Sequence, residues 1–143
     1  MRVVLDTNQV VAALMRPPEL ATLLMAWQSA RFTVIASSTL IDEYLHILDY
    51  PHIQPLLYPE LRRGFLTYLL PNIEIVHPTA TPQICRDPDD DKVIAAAVYG
   101  LADYLVTVDE DLLTSEVATL LQDLGIAVIS GDDLIGLLDS ENR

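Results

Sequence analysis

Short apolar runs alternate along the chain with longer stretches in which apolar residues recur every three to four positions. The runs at 2–5, 32–36, 73–76, 104–107 and 126–129 have strand length and are rich in Val and Ile. Between them the periodicity predicts helices over 8–15, 19–30, 38–50, 90–100, 116–124 and 131–139, with a short helix near 110–114. Ser37 or Ser38 can N-cap the third of these. Pro51, Pro55 and Pro59 limit helix continuity over 51–70, and three further prolines mark 77–88 as a loop. The strands read as continuous apolar runs rather than as alternating ones, which is the pattern of a parallel sheet buried on both faces. Strands alternating with helices predict a doubly wound α/β sandwich. In such folds ligands sit outside the carboxyl ends of the strands, at the topological switch point.

Composition narrows the class. The length, 143 residues, suits a single domain over 1–143, and a hydrophobic fraction of 51% with mean hydropathy +0.31 supplies a substantial core. The longest apolar run, 93–102, is half the ~20 residues of a membrane span. The chain enters its first strand without a leader-like segment, so a cytoplasmic protein is expected, with no membrane partner. A lone Cys85 excludes an internal disulfide and a cysteine zinc cluster. His46, His52 and His77 lack metal-ligand spacing and read as structural or surface residues. The formal charge is −13, which argues against a generic basic-patch binder of nucleic acid. The imbalance is uneven, with six acids against five arginines in 1–71 and 15 acids against Arg86, Lys92 and Arg143 in 72–143. Solubility alone can account for an acidic half, but clustered carboxylates can also hold a divalent ion, so their placement decides.

Four segments bring carboxylates toward one edge of the predicted sheet. Asp6 directly follows the first strand, and Asp109 closely follows the fourth. Glu43 lies one to two turns into the helix after the second strand, about 40° outside its apolar arc at ~100° per residue, and Asp42 lies off the opposite edge. Asp87, Asp89, Asp90 and Asp91 open the helix before the fourth strand. A single Asp after a strand is commonly a turn or cap residue, and one or two of the last four are explained by capping and the helix dipole. Three consecutive aspartates repel one another unless a positive charge sits among them. Periodicity leaves Asp90 and Asp91 open: Asp90 projects near the middle of the apolar face and Asp91 near its edge.

These residues resemble the motifs of PIN-domain ribonucleases: Val4-Leu5-Asp6-Thr7-Asn8, Ser38 with Glu43, Asp91-Lys92-Val93-Ile94-Ala95-Ala96-Ala97, and Val106-Thr107-Val108-Asp109. The strings 86–91, 100–107 and 109–113 are similar to a branch described as toxin components of toxin–antitoxin systems. The resemblance spans roughly residues 2–130. It implies a three-layer α/β/α sandwich, Rossmann-like, with four or five parallel strands. It also implies a ribonuclease that hydrolyses RNA phosphodiester bonds with one or two Mg²⁺ or Mn²⁺ ions. Carried over by position, Asp6, Glu43, Asp91 and Asp109 form the catalytic and metal-binding acid set. Asp91 is favoured over Asp90 because the third acid of the family immediately precedes the small-apolar helical run. Thr7, Asn8, Ser38 and Thr107 match supporting polar positions, and Asp111 matches a less regular acid. Gln9 departs from the apolar residue common after the Asp-Thr-Asn motif.

The chemistry suits these residue types, since Mg²⁺ prefers carboxylate and water oxygens. Two such ions about 3.5–4 Å apart activate water and stabilise both oxygens of an in-line displacement at phosphorus. A haloacid-dehalogenase-like enzyme needs a second Asp where this chain has Asn8, and a response regulator needs a late lysine where this chain has only Lys92. The remaining alternative is a non-catalytic PIN-like module that binds RNA or a protein, and the filled acid set favours the nuclease. RNA is expected to run past Arg16, Arg62 and Arg63, with Lys92 at the centre. A cognate antitoxin and a homodimer are the further partners considered, through apolar residues of helices 8–15, 19–30 and 38–50.

Overall fold

The computed structural model describes residues 1–141; Arg143, counted above among the bases, lies outside them. Five strands, β1 (Arg2–Leu5), β2 (Thr33–Ser37), β3 (Glu74–Val76), β4 (Tyr104–Val106) and β5 (Ala127–Ile129), form one sheet in the order β3-β2-β1-β4-β5. Every pairing is parallel: Val3 lies opposite Val34 on one side and Tyr104 on the other, Ala36 opposite Ile75, and Leu105 opposite Val128. The helices are α1 (Thr7–Leu14), α2 (Thr22–Gln28), α3 (Ser38–Leu48), α4 (Pro59–Gly64), α5 (Asp91–Tyr99), α6 (Ser115–Asp123) and α7 (Gly131–Glu141). Val3, Val4 and Leu5 are all buried, as are Val34, Ile35 and Ala36. Successive strand residues face opposite ways, so both faces of the central strands are covered and the predicted α/β sandwich is what forms. The chain builds the sheet outward from β1 to β3 and then returns to lay β4 on the other flank of β1. The switch point therefore falls between the carboxyl ends of β1 and β4. Among the described residues no helix is long and apolar enough to cross a membrane.

Local chemistry explains where elements differ from the pattern. Pro17 and Pro18 turn the start of the predicted helix 19–30 into a 3₁₀ turn, Pro18–Leu20, and α2 begins only at Thr22. The region 51–70 becomes a turn at Gln54–Leu56, then α4, then a π-helical segment at Phe65–Leu69 that buries Phe65 and Leu69. The short helix near 110–114 is a single 3₁₀ turn, Glu110–Leu112. Ser37, not Ser38, caps α3: its Oγ accepts from the Leu40 backbone N–H at 3.2 Å while its own backbone still belongs to β2.

Three helices end alike. After α2, α5 and α6 the chain turns through a residue with positive φ: Ala30 (57°), Leu101 (52°) and Gly125 (75°). In each the following N–H returns to the carbonyl five residues back, Arg31 to Ala26, Ala102 to Ala97 and Ile126 to Leu121. These are Schellman closures, and each leads directly toward a strand or its approach. Gly100 precedes Leu101 for another reason: a β-carbon there would fall against Ile35 Cδ1 and lie 2.6 Å from the Ala96 carbonyl oxygen. Its absence lets α5 close onto β2, and the Arg2 guanidinium fastens the joint by donating to the Gly100 carbonyl at 2.8–2.9 Å.

Candidate active site

Asp6 is the first residue beyond β1, and its N–H still bonds to the Val106 carbonyl across the sheet at 3.0 Å. It occupies the N-cap position of α1, yet its side chain makes no capping bond. The carboxylate reaches toward β4 instead, where Thr107 Oγ1 donates to Oδ2 at 2.8 Å. The same Thr107 oxygen accepts from the Asp109 N–H at 3.0 Å, and Asp109 Oδ1 accepts from the Asp111 N–H at 2.9 Å. One hydroxyl thus sets two acids from two strands. Asp6 is 4% exposed, and burial is the main reason its carboxyl is pushed above the ordinary aspartate range. The Thr107 hydrogen bond opposes that rise, while Asp109 and Glu43 add to it.

Glu43 arrives from α3. The Tyr44 hydroxyl, fully buried, donates to the Leu5 carbonyl and fastens α3 to the end of β1. Burial, then the nearby Asp6 and Glu43, push this phenol well above its usual value, so it stays a donor. Both Glu43 oxygens are partnered: Thr7 Oγ1 donates to Oε2, and Lys92 Nζ lies 2.9 Å from Oε1.

The aspartate run divides its labour. Asp87 Oδ1 caps the 3₁₀ turn Pro88–Asp90 by accepting from the Asp89 N–H at 3.0 Å. Asp91 is buried, and its Oδ1 accepts from the N–H groups of Cys85 at 2.9 Å and Ile84 at 3.2 Å, holding the end of the 77–88 loop. Asp90 Oδ2 is buried with no hydrogen-bond partner among the described residues. Burial, reinforced by repulsion from Asp109, Asp6, Asp87 and Asp111, lifts this carboxyl to about 7. Oxygens of Asp87, Asp90 and Asp111 lie within 4.8 Å of one another. Burial and the neighbouring Asp91 push the Cys85 thiol up to about 12, too high for a nucleophile.

Asp6, Thr107 and Asp109 therefore meet at the switch point, with Thr7, Glu43 and Lys92 joined in one chain of contacts beside them. Asn8 and Ser38 stand exposed in the first turns of α1 and α3. Arg16 lies 3.5 Å from Asp132, Arg62 is paired to Asp49 at 2.9 Å, and Arg63 is exposed on α4. Sequence reasoning did not anticipate the anchoring by Tyr44 or the use of Asp91 Oδ1 by backbone amides. The signal for Asp90 was present, because an acid projected onto the middle of an apolar helical face has to be accommodated by something.

The fold and site together define a doubly wound α/β protein with an acidic centre at its switch point. A family model described as PIN domain matches residues 2–111, and the chain belongs to the PIN-domain family. PIN domains are generally nucleases, act on RNA and typically use divalent metals. No curated protein matches the chain. The donor set fits such an ion, since it is made only of oxygens, crowds several acids and leaves Asp90 Oδ2 without a partner.

Proposed function

We propose that this protein is an RNA-hydrolysing nuclease that depends on Mg²⁺ or Mn²⁺. The observation that carries the reading is the unpartnered Asp90 oxygen, in a carboxyl lifted to about 7 among Asp6, Asp109, Asp87 and Asp111. Asp6 and Asp109 offer oxygens from the two central strands, and Asp90 offers its free Oδ2. Asp91 has one oxygen to give, because Oδ1 is occupied by the loop amides. Glu43 acts through its partners, orienting Thr7 and Lys92. Thr107 keeps Asp6 and Asp109 in register. When bound, a divalent ion supplies charge for the phosphate and lowers the pKa of an attacking water.

The test is cleavage of labelled single-stranded RNA by purified protein with Mg²⁺, Mn²⁺ or EDTA. Asp6→Asn, Glu43→Gln, Asp90→Asn, Asp91→Asn and Asp109→Asn each lower kcat/KM by about 100-fold or more, the scale of losing one preorganised charge. Exposed Asp42→Asn and Asp89→Asn stay near wild type. Cleavage that survives EDTA or Asp6→Asn in folded protein overturns the assignment. RNA binding without any cleavage favours the non-catalytic alternative. The toxin role rests on the likeness of the strings 86–91, 100–107 and 109–113 to the toxin branch. It predicts that expression in bacterial cytoplasm arrests growth, that Asp6→Asn relieves the arrest, and that a small neighbouring reading frame encodes an antagonist.

A further inference from the structure

Lys92 faces two ways. On one side it pairs with Glu43 at 2.9 Å, beside the acids. On the other it lines a separate cavity of about 230 Å³ between the first turn of α3, the end of β3, the start of the 77–88 loop and α5. Ser37, Ser38, Thr39, His77 and Thr81 line it with Lys92, alongside a few apolar residues, and no acidic residue is among its lining. That is an unusual neighbourhood in a chain with 21 acids against eight lysines and arginines, of which Lys92 is the only lysine. Hydroxyls, an imidazole and an ammonium can all donate hydrogen bonds, so these residue types suit an anion, to which an ammonium with three donors can still give a bond beside the one to Glu43. Glu43 holds the ammonium in place, with its second oxygen held by Thr7. Among the described residues the other six bases do not line this cavity; Arg2, Arg31, Arg62 and Arg86 are paired with Glu74, Asp139, Asp49 and Asp111, whereas the pair that Lys92 makes, with Glu43, sits beside the cavity.

We propose that this cavity is a phosphate subsite which receives a phosphodiester flanking the cleaved one, with Lys92 as its charged contact and Ser38, Thr39 and Thr81 as its neutral donors. The proposal rests on the nuclease reading and names the part of the substrate that the second half of the site holds. Lysine binds phosphate as a point charge, so the subsite registers the backbone without reading bases.

The experiment uses a short RNA in which single linkages on either side of the cleaved bond are replaced one at a time by neutral methylphosphonates. For wild type, one flanking replacement lowers kcat/KM about tenfold, mainly through KM. Lys92→Met shows the same loss on unmodified RNA and no further loss on that analogue, while Lys92→Arg keeps most of the wild-type response. Thr81→Ala, which leaves the Glu43–Lys92 pair intact, loses about two- to fivefold on unmodified RNA and guards against misfolding of Lys92→Met. A second readout does not depend on cleavage. With labelled RNA in EDTA, Lys92→Met makes the slope of log K against log[salt] shallower by about 0.7, the value of one single-strand phosphate contact. Additive losses from Lys92→Met and the analogue, with an unchanged slope, overturn the subsite even if the enzyme cleaves RNA. A shallower slope in a protein that never cleaves retains the subsite and overturns the nuclease reading.

Discussion

Asp90 is an acid held where its own charge is unwelcome. Its carboxyl titrates near 7 in the folded protein, against about 3.9 in an unfolded chain. Between those values the folded state keeps a proton that the unfolded state has lost, so ionisation of this group favours unfolding. Its stabilising contribution is complete below about pH 4 and is lost as pH rises through about 7. In EDTA, Asp90→Asn therefore raises Tm at pH 8 and leaves it nearly unchanged at pH 4, which thermal scans at the two pH values check. Adding Mn²⁺ at pH 8 raises the wild-type Tm with concentration, since an ion bound only by the native state at 100 times its Kd adds about 2.7 kcal/mol. The gain is smaller in Asp90→Asn. Tyr44→Phe strips the donor from the Leu5 carbonyl, and a loss of about 1 kcal/mol in urea unfolding is expected. Asp6 and Asp109 were legible in the sequence because each follows an apolar run closely. Tyr44 was not, since its ring belongs to the apolar arc of α3 and only tertiary packing shows where the hydroxyl ends. Asp90 and Asp91 could not be separated because the turn Pro88–Asp90 breaks the helical angle on which the projection depended.

The helices carry a cost at their ends. Ala30 and Leu101 hold left-handed backbone that disfavours any side chain by roughly 1–2 kcal/mol. Leu101 is 78% exposed, so replacing it forfeits little packing. Leu101→Gly should stabilise by about 0.5–1 kcal/mol, the relief offset by the greater freedom of glycine when unfolded. Gly100→Ala should do the opposite by forcing α5 away from Ile35, and chemical denaturation of both variants compares them directly. The alternation of elements was legible because strand and helix periods differ. The fine boundaries were not, because prolines in 17–18 and 51–59 exchange α-helix for 3₁₀ turns and the α4 turn passes into a π-helical segment. Gly125 could have been read as a helix stop, whereas Ala30 and Leu101 carry no such mark.

At the scale of the molecule, the proposed nuclease reading asks a chain of formal charge −13 to take up a polyanion. Arg2 and Arg31 donate to backbone carbonyls, and Arg62 and Arg86 are paired with carboxylates, so much of the positive charge serves the fold. Arg63, exposed on α4 and in no ion pair among the described residues, is the arginine of that helix that the proposed RNA path can use. Arg63→Glu is accordingly expected to raise KM several-fold with kcat nearly unchanged, and Arg62→Glu to lower Tm as well by setting two acids side by side with Asp49. Steady-state kinetics and thermal scans on the two variants separate these outcomes.

The Thr107–Asp6 hydrogen bond joins positions 101 residues apart. A ribosome that has released the first 90 residues has delivered β1, β2, β3, Asp6 and Glu43, yet β1 still lacks its β4 neighbour and Asp6 its hydroxyl. The acidic centre is thus assembled late in synthesis, once the strand after α5 has threaded in beside β1. A fragment ending at Asp103 should neither unfold cooperatively nor cleave RNA. On the nuclease reading proposed above, the growing chain has no complete acidic centre while it is still held beside the transcript that encodes it.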